Sequence, residues 1–314
     1  MKALVIGAGG FVGPYLIERI KSSLFCEVVT TTSGVKDRLG IGEDKTVQLN
    51  IRDREQTVAV LEKERPDYIF HLAAQSSVAL SWKDPKLTVD TNIIGAINLI
   101  NAIQEMDYTP RVLVAGSGEE YGKVKESDIP IKENTVLNPG NVYAVTKACQ
   151  NMIASVYAHG YGLPIVMTRS FNHIGPGQTP QFVVADFCSQ VVKIEQGRQK
   201  PVIRVGNLSA KRDFTDVRDV VNAYCRLIQY GKSGETYNVG SGHAVAVEDV
   251  LKAILLQSEA EISVEVDPSK LRPVDVPVIE ADISKIFRDT GWKPAISLKE
   301  TIADTLQYWR MMGY

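Results

Sequence analysis

Within the first thirteen residues an apolar run, Ala3-Leu-Val-Ile6, ends directly in Gly7-Ala-Gly-Gly10-Phe-Val-Gly13, with Pro14 one step further on. Few local patterns restrict a fold as narrowly. A strand that turns sharply into a helix needs glycine at the bend and wherever two backbones approach closely. Gly7 and Gly10 suit the tight turn and the close approach of an anionic group. Gly13 lets the helix pack on the strand, and Pro14 takes a first-turn position that needs no amide donor. The free amides and the dipole at that helix N-terminus attract a pyrophosphate. The stretch therefore predicts a dinucleotide site at Gly7, Gly10, Phe11, Val12 and Gly13; an ordinary glycine-rich turn is the competing reading.

The strand-then-helix rhythm repeats downstream. Short β-branched runs fall at Ala3 to Gly7, Glu27 to Thr32, Thr46 to Leu49, Tyr68 to Leu72, Arg111 to Ala115 and Pro164 to Arg169. Helical periodicity lies between them, clearest at Thr57 to Glu64, Thr91 to Gln104 and Tyr143 to Tyr157. This alternation predicts an α/β fold of Rossmann type, a doubly wound parallel sheet with helices on both faces. After about residue 170 the rhythm gives way to turn-rich segments, Gly175-Pro-Gly-Gln178 and Leu271-Arg-Pro273 among them. The expected organisation is a dinucleotide-binding domain over 1–170, rejoined at about 215–240, and a smaller, discontinuous C-terminal lobe over 171–214 and 241–314.

Composition narrows the partners. The chain has 314 residues, 44% hydrophobic and 23% charged, enough for one large core or two unequal ones. A formal net charge of -2 gives no electrostatic reason to expect nucleic acid or an anionic membrane, so a small molecule is the expected partner. Cys26, Cys149, Cys188 and Cys225 form no Cys-x-x-Cys pair, and His71, His159, His173 and His243 show no metal-ligand spacing. Reduced thiols in a cytoplasm are expected, with neither a disulfide framework nor a metal site. The apolar opening is too short for a signal peptide and reads as a buried strand, and no apolar run reaches membrane-spanning length.

Two further patterns carry chemistry. An acidic side chain at the end of the second strand would meet the ribose hydroxyls of NAD and repel a 2′-phosphate. Here the chain reads Thr30-Thr-Thr32-Ser33, with Lys36 and Arg38 close behind. Hydroxyls and bases favour NADP(H), with NAD(H) the alternative, although a charged pair in a loop is commonly just solvated. Tyr143 and Lys147 stand four residues apart and share a helix face. A cation beside a phenol stabilises the phenolate, so the Tyr143 pKa is expected to fall from about 10 toward working pH and the phenol to trade a proton with a substrate oxygen. Ser117 follows a strand at the carboxyl edge of the sheet, where such folds bind ligands, and its hydroxyl could hold the same oxygen. A lone Tyr-x-x-x-Lys is usually a half-buried aromatic with a snorkelling lysine; here three signals agree in order along one chain.

These residues resemble the extended short-chain dehydrogenase/reductases that modify nucleotide sugars. The resemblance runs through the glycine turn, His71-Leu-Ala-Ala74, Thr91-Asn-Ile-Ile-Gly95, Ser117 before Glu119-Glu-Tyr-Gly122, and Tyr143 with Lys147. It continues through Ser170-Phe-Asn-His-Ile-Gly-Pro-Gly-Gln178, Arg212-Asp-Phe-Thr-Asp-Val-Arg-Asp219, Leu271-Arg-Pro273 and Thr290-Gly-Trp-Lys-Pro294, so it spans essentially the whole chain. It implies that Thr32, Ser33, Arg38, Leu72, Ala73 and Ala74 border the cofactor. Asn50 and Ile51 join them, Asn50 standing where an Asp is usual and meeting adenine through its amide oxygen.

The resemblance further implies Ser117, Tyr143 and Lys147 as the catalytic set, with Glu119 where dehydratases of the family keep a base. It implies a nucleotide-sugar substrate, with Ser76, Ser117, Glu119, Asn172, Phe182, Val183, Lys193, Arg212 and Arg272 on its side of the site. The arginines suit a diphosphate, since a guanidinium bonds two oxygens at once. Asp275, where a longer Glu is usual, would reach less far. The stretch from Arg169 to Asp219 and the Ser117 to Gly122 segment look most like members that reduce GDP-4-keto-6-deoxy-D-mannose to GDP-D-rhamnose. A GDP-mannose 4,6-dehydratase or another epimerase or dehydratase of the family is the alternative. Ser117 in place of the dehydratases' Thr, and Gly118 in place of a hydroxyl or acid, favour reduction. A homodimer that pairs the Tyr143 helix and the preceding one is also implied. A non-catalytic dinucleotide sensor, the reading from another class, would be expected to have lost Tyr143 or Lys147; both are present.

Overall fold

The computed structural model describes residues 1–34, 45–270 and 276–313. β1 (Lys2–Ile6) turns through the glycines into α1 (Val12–Ser23), followed by β2 (Glu27–Thr32), β3 (Lys45–Gln48), α2 (Arg54–Glu64) and β4 (Tyr68–His71). Short helices α3 (Val78–Lys83) and α4 (Pro85–Val89) and a π-helical turn at Asp90–Ile94 lead into α5 (Gly95–Glu105), β5 (Arg111–Ser117), α6 (Val142–Tyr161) and β6 (Ile165–Ser170). Then come β7 (Asn172–Ile174), α7 (Val183–Glu195), β8 (Val202–Val205), β9 (Lys211–Asp216), α8 (Val217–Tyr230), β10 (Thr236–Val239) and β11 (Ala244–Ala246). The chain closes with α9 (Val247–Leu255), β12 (Ser263–Val266), β13 (Val278–Ile279), α10 (Ser284–Thr290) and α11 (Leu298–Met312).

Seven strands form one parallel sheet in the order β10-β6-β5-β4-β1-β2-β3. Its central strands are near-continuous apolar runs because both faces are covered. Side chains alternate across the sheet, so Ala3 and Val5 pack with Leu16, Ile20, Val220 and Leu227 of α1 and α8. Leu4 and Ile6 pack on the opposite face with Leu99 and Ile103 of α5 and Ala154 of α6. The winding reverses between β1 and β4, which places a crevice at their carboxyl ends. α8 packs on the α1 face and returns the chain to β10, which pairs with β6 at one sheet edge.

The first six strands fall within one or two residues of their sequence reading. The helix read over Thr91 to Gln104 instead opens as a π-helical turn before α5. A third core lies outside this sheet: Phe187 and Val191 of α7, Val250 and Ile254 of α9, and Leu306 and Trp309 of α11 enclose Ile203 and Val205 of β8. Small sheets flank it, one in the order β11-β9-β13 with β7 on β9, the other pairing β12 with β8. Among the described residues no helix is long and apolar enough to cross a membrane.

Candidate active site

The carboxyl ends of the central strands open into a cleft of about 760 Å³. At one end the glycine turn separates two demands. Gly7 has φ of +88°, and a Cβ there would lie 2.6 Å from the Ala73 backbone; a Cβ on Gly13 would lie 1.7 Å from the Ala8 carbonyl oxygen. Both are glycine because the fold leaves no room. A Cβ on Gly10 would meet nothing closer than the Gly7 carbonyl at 3.6 Å, so its bareness leaves space open to the cleft. The first turn of α1 has no side-chain cap and no acidic residue, leaving its amides to an anion. The turn therefore fits a dinucleotide pyrophosphate.

Thr32, Ser33, Asn50 and Ile51 line the adjoining part of the cleft, and no carboxylate lines it there among the described residues. The Thr31 hydroxyl accepts the Gly7 amide at 3.3 Å and so ties β2 to the turn. Lys36, Arg38, Arg272 and Asp275 lie outside the described residues. Arg52, passed over in the sequence reading although it stood beside Asn50, also lines the cleft, and its Nε donates to the Asn50 amide oxygen at 3.2 Å. It is a cation at the cleft end where β2 and β3 finish. Leu72, Ala73 and Ala74 form the floor after β4.

At the centre stand Ser117, Tyr143 and Lys147, all on the cleft wall. Ser117 ends β5 and caps the 3₁₀ turn Gly118–Tyr121: its Oγ accepts the Glu119 amide at 3.2 Å, and the hydroxyl is hydrogen-bonded to the Tyr143 phenol. Tyr143 stands in the first turn of α6, which Asn141 caps by accepting the Ala144 amide at 2.8 Å. A buried chain of bonds fixes that turn. The Tyr143 carbonyl accepts from Thr146 Oγ1 at 2.8 Å, Thr146 Oγ1 accepts from Asn92 Nδ2 at 2.9 Å, and Asn92 Oδ1 accepts the Gln75 amide at 2.8 Å. The π-helical turn thus hangs α6 from the loop after β4.

The electrostatics correct one expectation. Lys147 donates to the Ala115 carbonyl at 2.7 Å and to Gln150 Oε1 at 3.1 Å. Burial pushes the Tyr143 phenol above its ordinary value, with the Ser117 hydrogen bond the main opposing influence. The phenol therefore holds its proton through the neutral range. It is the ammonium whose balance moves: burial brings Lys147 down to about 8, opposed by the charge of Glu120. His71, buried beneath, is pushed down to about 3 and stays neutral.

On the far side the cleft is lined by Ser76, Glu119, Asn172 and Phe182. Glu119 Oε2 accepts from Asn141 Nδ2 at 3.2 Å. Val183 packs against the third core instead, Lys193 stands a helix-length away on α7, and Arg212 is buried with Nη1 donating to the Lys211 and Val276 carbonyls. None of these three lines the cleft. His173, Gln178 and Tyr224 do line it, unanticipated. His173 stands in the quoted Ser170 to Gln178 stretch and stacks on Phe11 at 6.0 Å, while Tyr224 is bonded to Ser170 Oγ at 2.7 Å.

The family model of GDP-mannose 4,6-dehydratase matches residues 4–305. The chain belongs to the GDP-mannose 4,6-dehydratase family. Among the curated members similar to it is the GDP-6-deoxy-D-mannose reductase of Pseudomonas aeruginosa, 33% identical over 78% of this chain and 81% of that one. The P. aeruginosa RMD solved with NADPH superposes with a TM-score of 0.85 at 29% identity, covering 99% of both chains. The Thermus thermophilus UDP-glucose 4-epimerase solved with NAD gives 0.88 at 28% identity, also over 99% of both. Members of the GDP-mannose 4,6-dehydratase family thus share this scaffold with enzymes of different chemistry, and the decision between them falls to the side chains of the cleft.

Proposed function

We propose that the protein is an NADPH-dependent oxidoreductase that reduces the 4-keto group of GDP-4-keto-6-deoxy-D-mannose to give GDP-D-rhamnose. The observation that carries this reading is the placing of Ser117, Tyr143 and Lys147 together on the cleft wall, with a phenol that burial keeps protonated. Bound at the glycine turn, the reduced nicotinamide supplies the hydride for carbon 4. Ser117 would hold the keto oxygen, and Tyr143 would pass its phenolic proton to that oxygen as it becomes an alkoxide. Lys147, as a buried cation, would favour the phenolate left behind until it regains a proton from solvent. Asn172, Phe182, Ser76 and Glu119 would border the sugar nucleotide, with residues 1–170 and about 215–240 holding the dinucleotide and 171–214 with 241–314 the nucleotide sugar.

Similarity to the reductase named above supports this choice over dehydration. So does Gly118: a Cβ there would press on the Phe171 ring at 3.2 Å, which disfavours an added hydroxyl or acid beside Ser117. Preference for NADPH is supported by Thr32, Ser33 and Arg52 and by the NADPH bound to the similar RMD structure, with NADH as the lesser donor. A second reading, GDP-mannose 4,6-dehydratase, is favoured by the cleft position of Glu119. We further propose a cytoplasmic homodimer. α6 presents Val145, Met152 and Val156 to solvent on one face, the last two 61% and 65% exposed, beside exposed Val89 and Ile94.

Mixing the protein with enzymatically made GDP-4-keto-6-deoxy-D-mannose and NADPH tests the reading. Loss of NADPH absorbance matched by GDP-D-rhamnose supports the reductase. No NADPH loss, with GDP-mannose converted to its keto sugar instead, makes Glu119 a working base and the protein a dehydratase.

A further inference from the structure

Two glutamates follow Gly118, and the 3₁₀ turn sends them to opposite sides of the cleft floor. Glu119 lines the cleft, whereas Glu120 is fully buried beneath it. We propose that Glu120 is a positioning residue whose buried carboxylate clamps the backbone of Ser117 and so aims the Ser117 hydroxyl at Tyr143, an inference that rests on the reductase reading above.

The carboxylate is held from three directions. Its Oε1 accepts the Ser117 amide at 2.9 Å, closing a capping box with the serine hydroxyl. Asn151 Nδ2, from α6, reaches Oε1 at 3.3 Å and Oε2 at 3.0 Å. Arg169 Nε, from β6, donates to Oε2 at 2.8 Å, and its Nη1 donates to the Tyr121 hydroxyl at 3.1 Å and the Glu133 carbonyl at 2.9 Å. On the fourth side a glycine makes room for it. A Cβ on Gly116 would stand 2.5 Å from Glu120 Oε1 and 3.1 Å from Asn151 Nδ2, so glycine there leaves the space the carboxylate fills.

A buried ion pair costs desolvation and adds little stability by itself, but removing one partner leaves the other charge stranded. Its worth here is geometric. Ser117 is the last residue of β5 and would otherwise be free to swing with the loop. With its amide tied to Glu120 and its Oγ accepting the Glu119 amide, both ends of the residue are fixed relative to α6 and β6. The charge of the same carboxylate also acts on the Lys147 ammonium, and that of Lys147 on His71 of β4.

The test is a mutant cycle in the full-length protein: Glu120→Gln, Glu120→Asp, Ser117→Ala and the double variant Ser117→Ala/Glu120→Gln. Each is measured for kcat with the keto sugar, NADPH affinity by fluorescence, and thermal melting. Selective ¹⁵N-serine labelling reads the Ser117 amide in variants that retain it. Glu120→Gln puts an amide NH₂ against donors, and Glu120→Asp keeps the charge but falls one methylene short. Both should lower kcat by about tenfold to a hundredfold while leaving NADPH affinity within about twofold, and both should shift the Ser117 amide. In the Ser117→Ala background Glu120→Gln should cost nothing further in kcat. The same cost in both backgrounds, or an unmoved Ser117 amide, overturns the clamp. If the wild-type protein reduces no keto sugar, the reductase reading fails, whereas the amide shift still decides whether Glu120 holds Ser117.

Discussion

In the proposed reduction Tyr143 donates its proton only if it still has one, and burial of the phenol secures that across the neutral range. Tyr143→Phe should therefore lower kcat by roughly 10²–10⁴-fold with NADPH affinity unchanged, read by steady-state kinetics and fluorescence titration. In the same proposal the titration that limits activity belongs to Lys147, the group that burial brings into the working range. With the ammonium held at about 8, kcat/KM should fall as pH rises through that value. The same shift has a consequence for stability. Between about 8 and the ordinary lysine value of about 10.4 the folded chain binds fewer protons here than the unfolded one, so Lys147 contributes stability that grows with pH. Urea unfolding at pH 8 and pH 10 should show a smaller rise in Lys147→Met than in wild type. The residue types and order of this set were legible in the sequence. The direction of the phenol shift was not, because it depends on how much water the cleft wall excludes and on Lys147 being held by the Ala115 carbonyl and Gln150.

Glycines that look alike in the strand-turn-helix element do different work. Gly13→Ala drives a Cβ to 1.7 Å from the Ala8 carbonyl oxygen, so the helix must move off the strand. Loss of about 3 kcal/mol in urea unfolding is expected, or failure to fold. Gly10→Ala meets nothing closer than 3.6 Å, so the fold should melt normally while NADPH affinity drops about tenfold as the methyl group fills the space left for the pyrophosphate. A normal NADPH affinity in Gly10→Ala would contradict the assignment of that space. The Gly116 to Gly122 stretch divides in the same way: Gly116 makes room for Glu120, Gly118 for Phe171, and Gly122, at φ of +57°, for the Asn138 carbonyl. Spacing announced a tight segment, but which neighbour each glycine accommodates comes from strands and loops distant in sequence.

At the scale of the molecule, β10 completes the parallel sheet from residues 236–239, and the third core stands on α7, α9 and α11 outside it. The cleft lies where the sheet reverses and where β7 and the segment to Phe182 close over it from the far side. The apolar face of α6 is the other large-scale feature. Met152→Glu with Val156→Lys should convert a dimer to a monomer in light scattering without altering NADPH affinity, since neither residue touches the cleft. An unchanged mass with both charges in place would remove α6 from the interface.

The sequence by itself determined the parallel α/β fold, the glycine turn between first strand and first helix, and the presence of Ser117, Tyr143 and Lys147 along one cleft, because each rests on local periodicity or on short spacings that a helix or strand converts directly into geometry. Only the tertiary structure decided that Glu120 turns beneath the floor while Glu119 faces the cleft, that Arg52, His173 and Tyr224 line it, and that Val183, Lys193 and Arg212 do not. Those outcomes depend on contacts between segments separated by tens of residues. Arg169, 49 residues from Glu120, meets it only once β5 and β6 lie side by side.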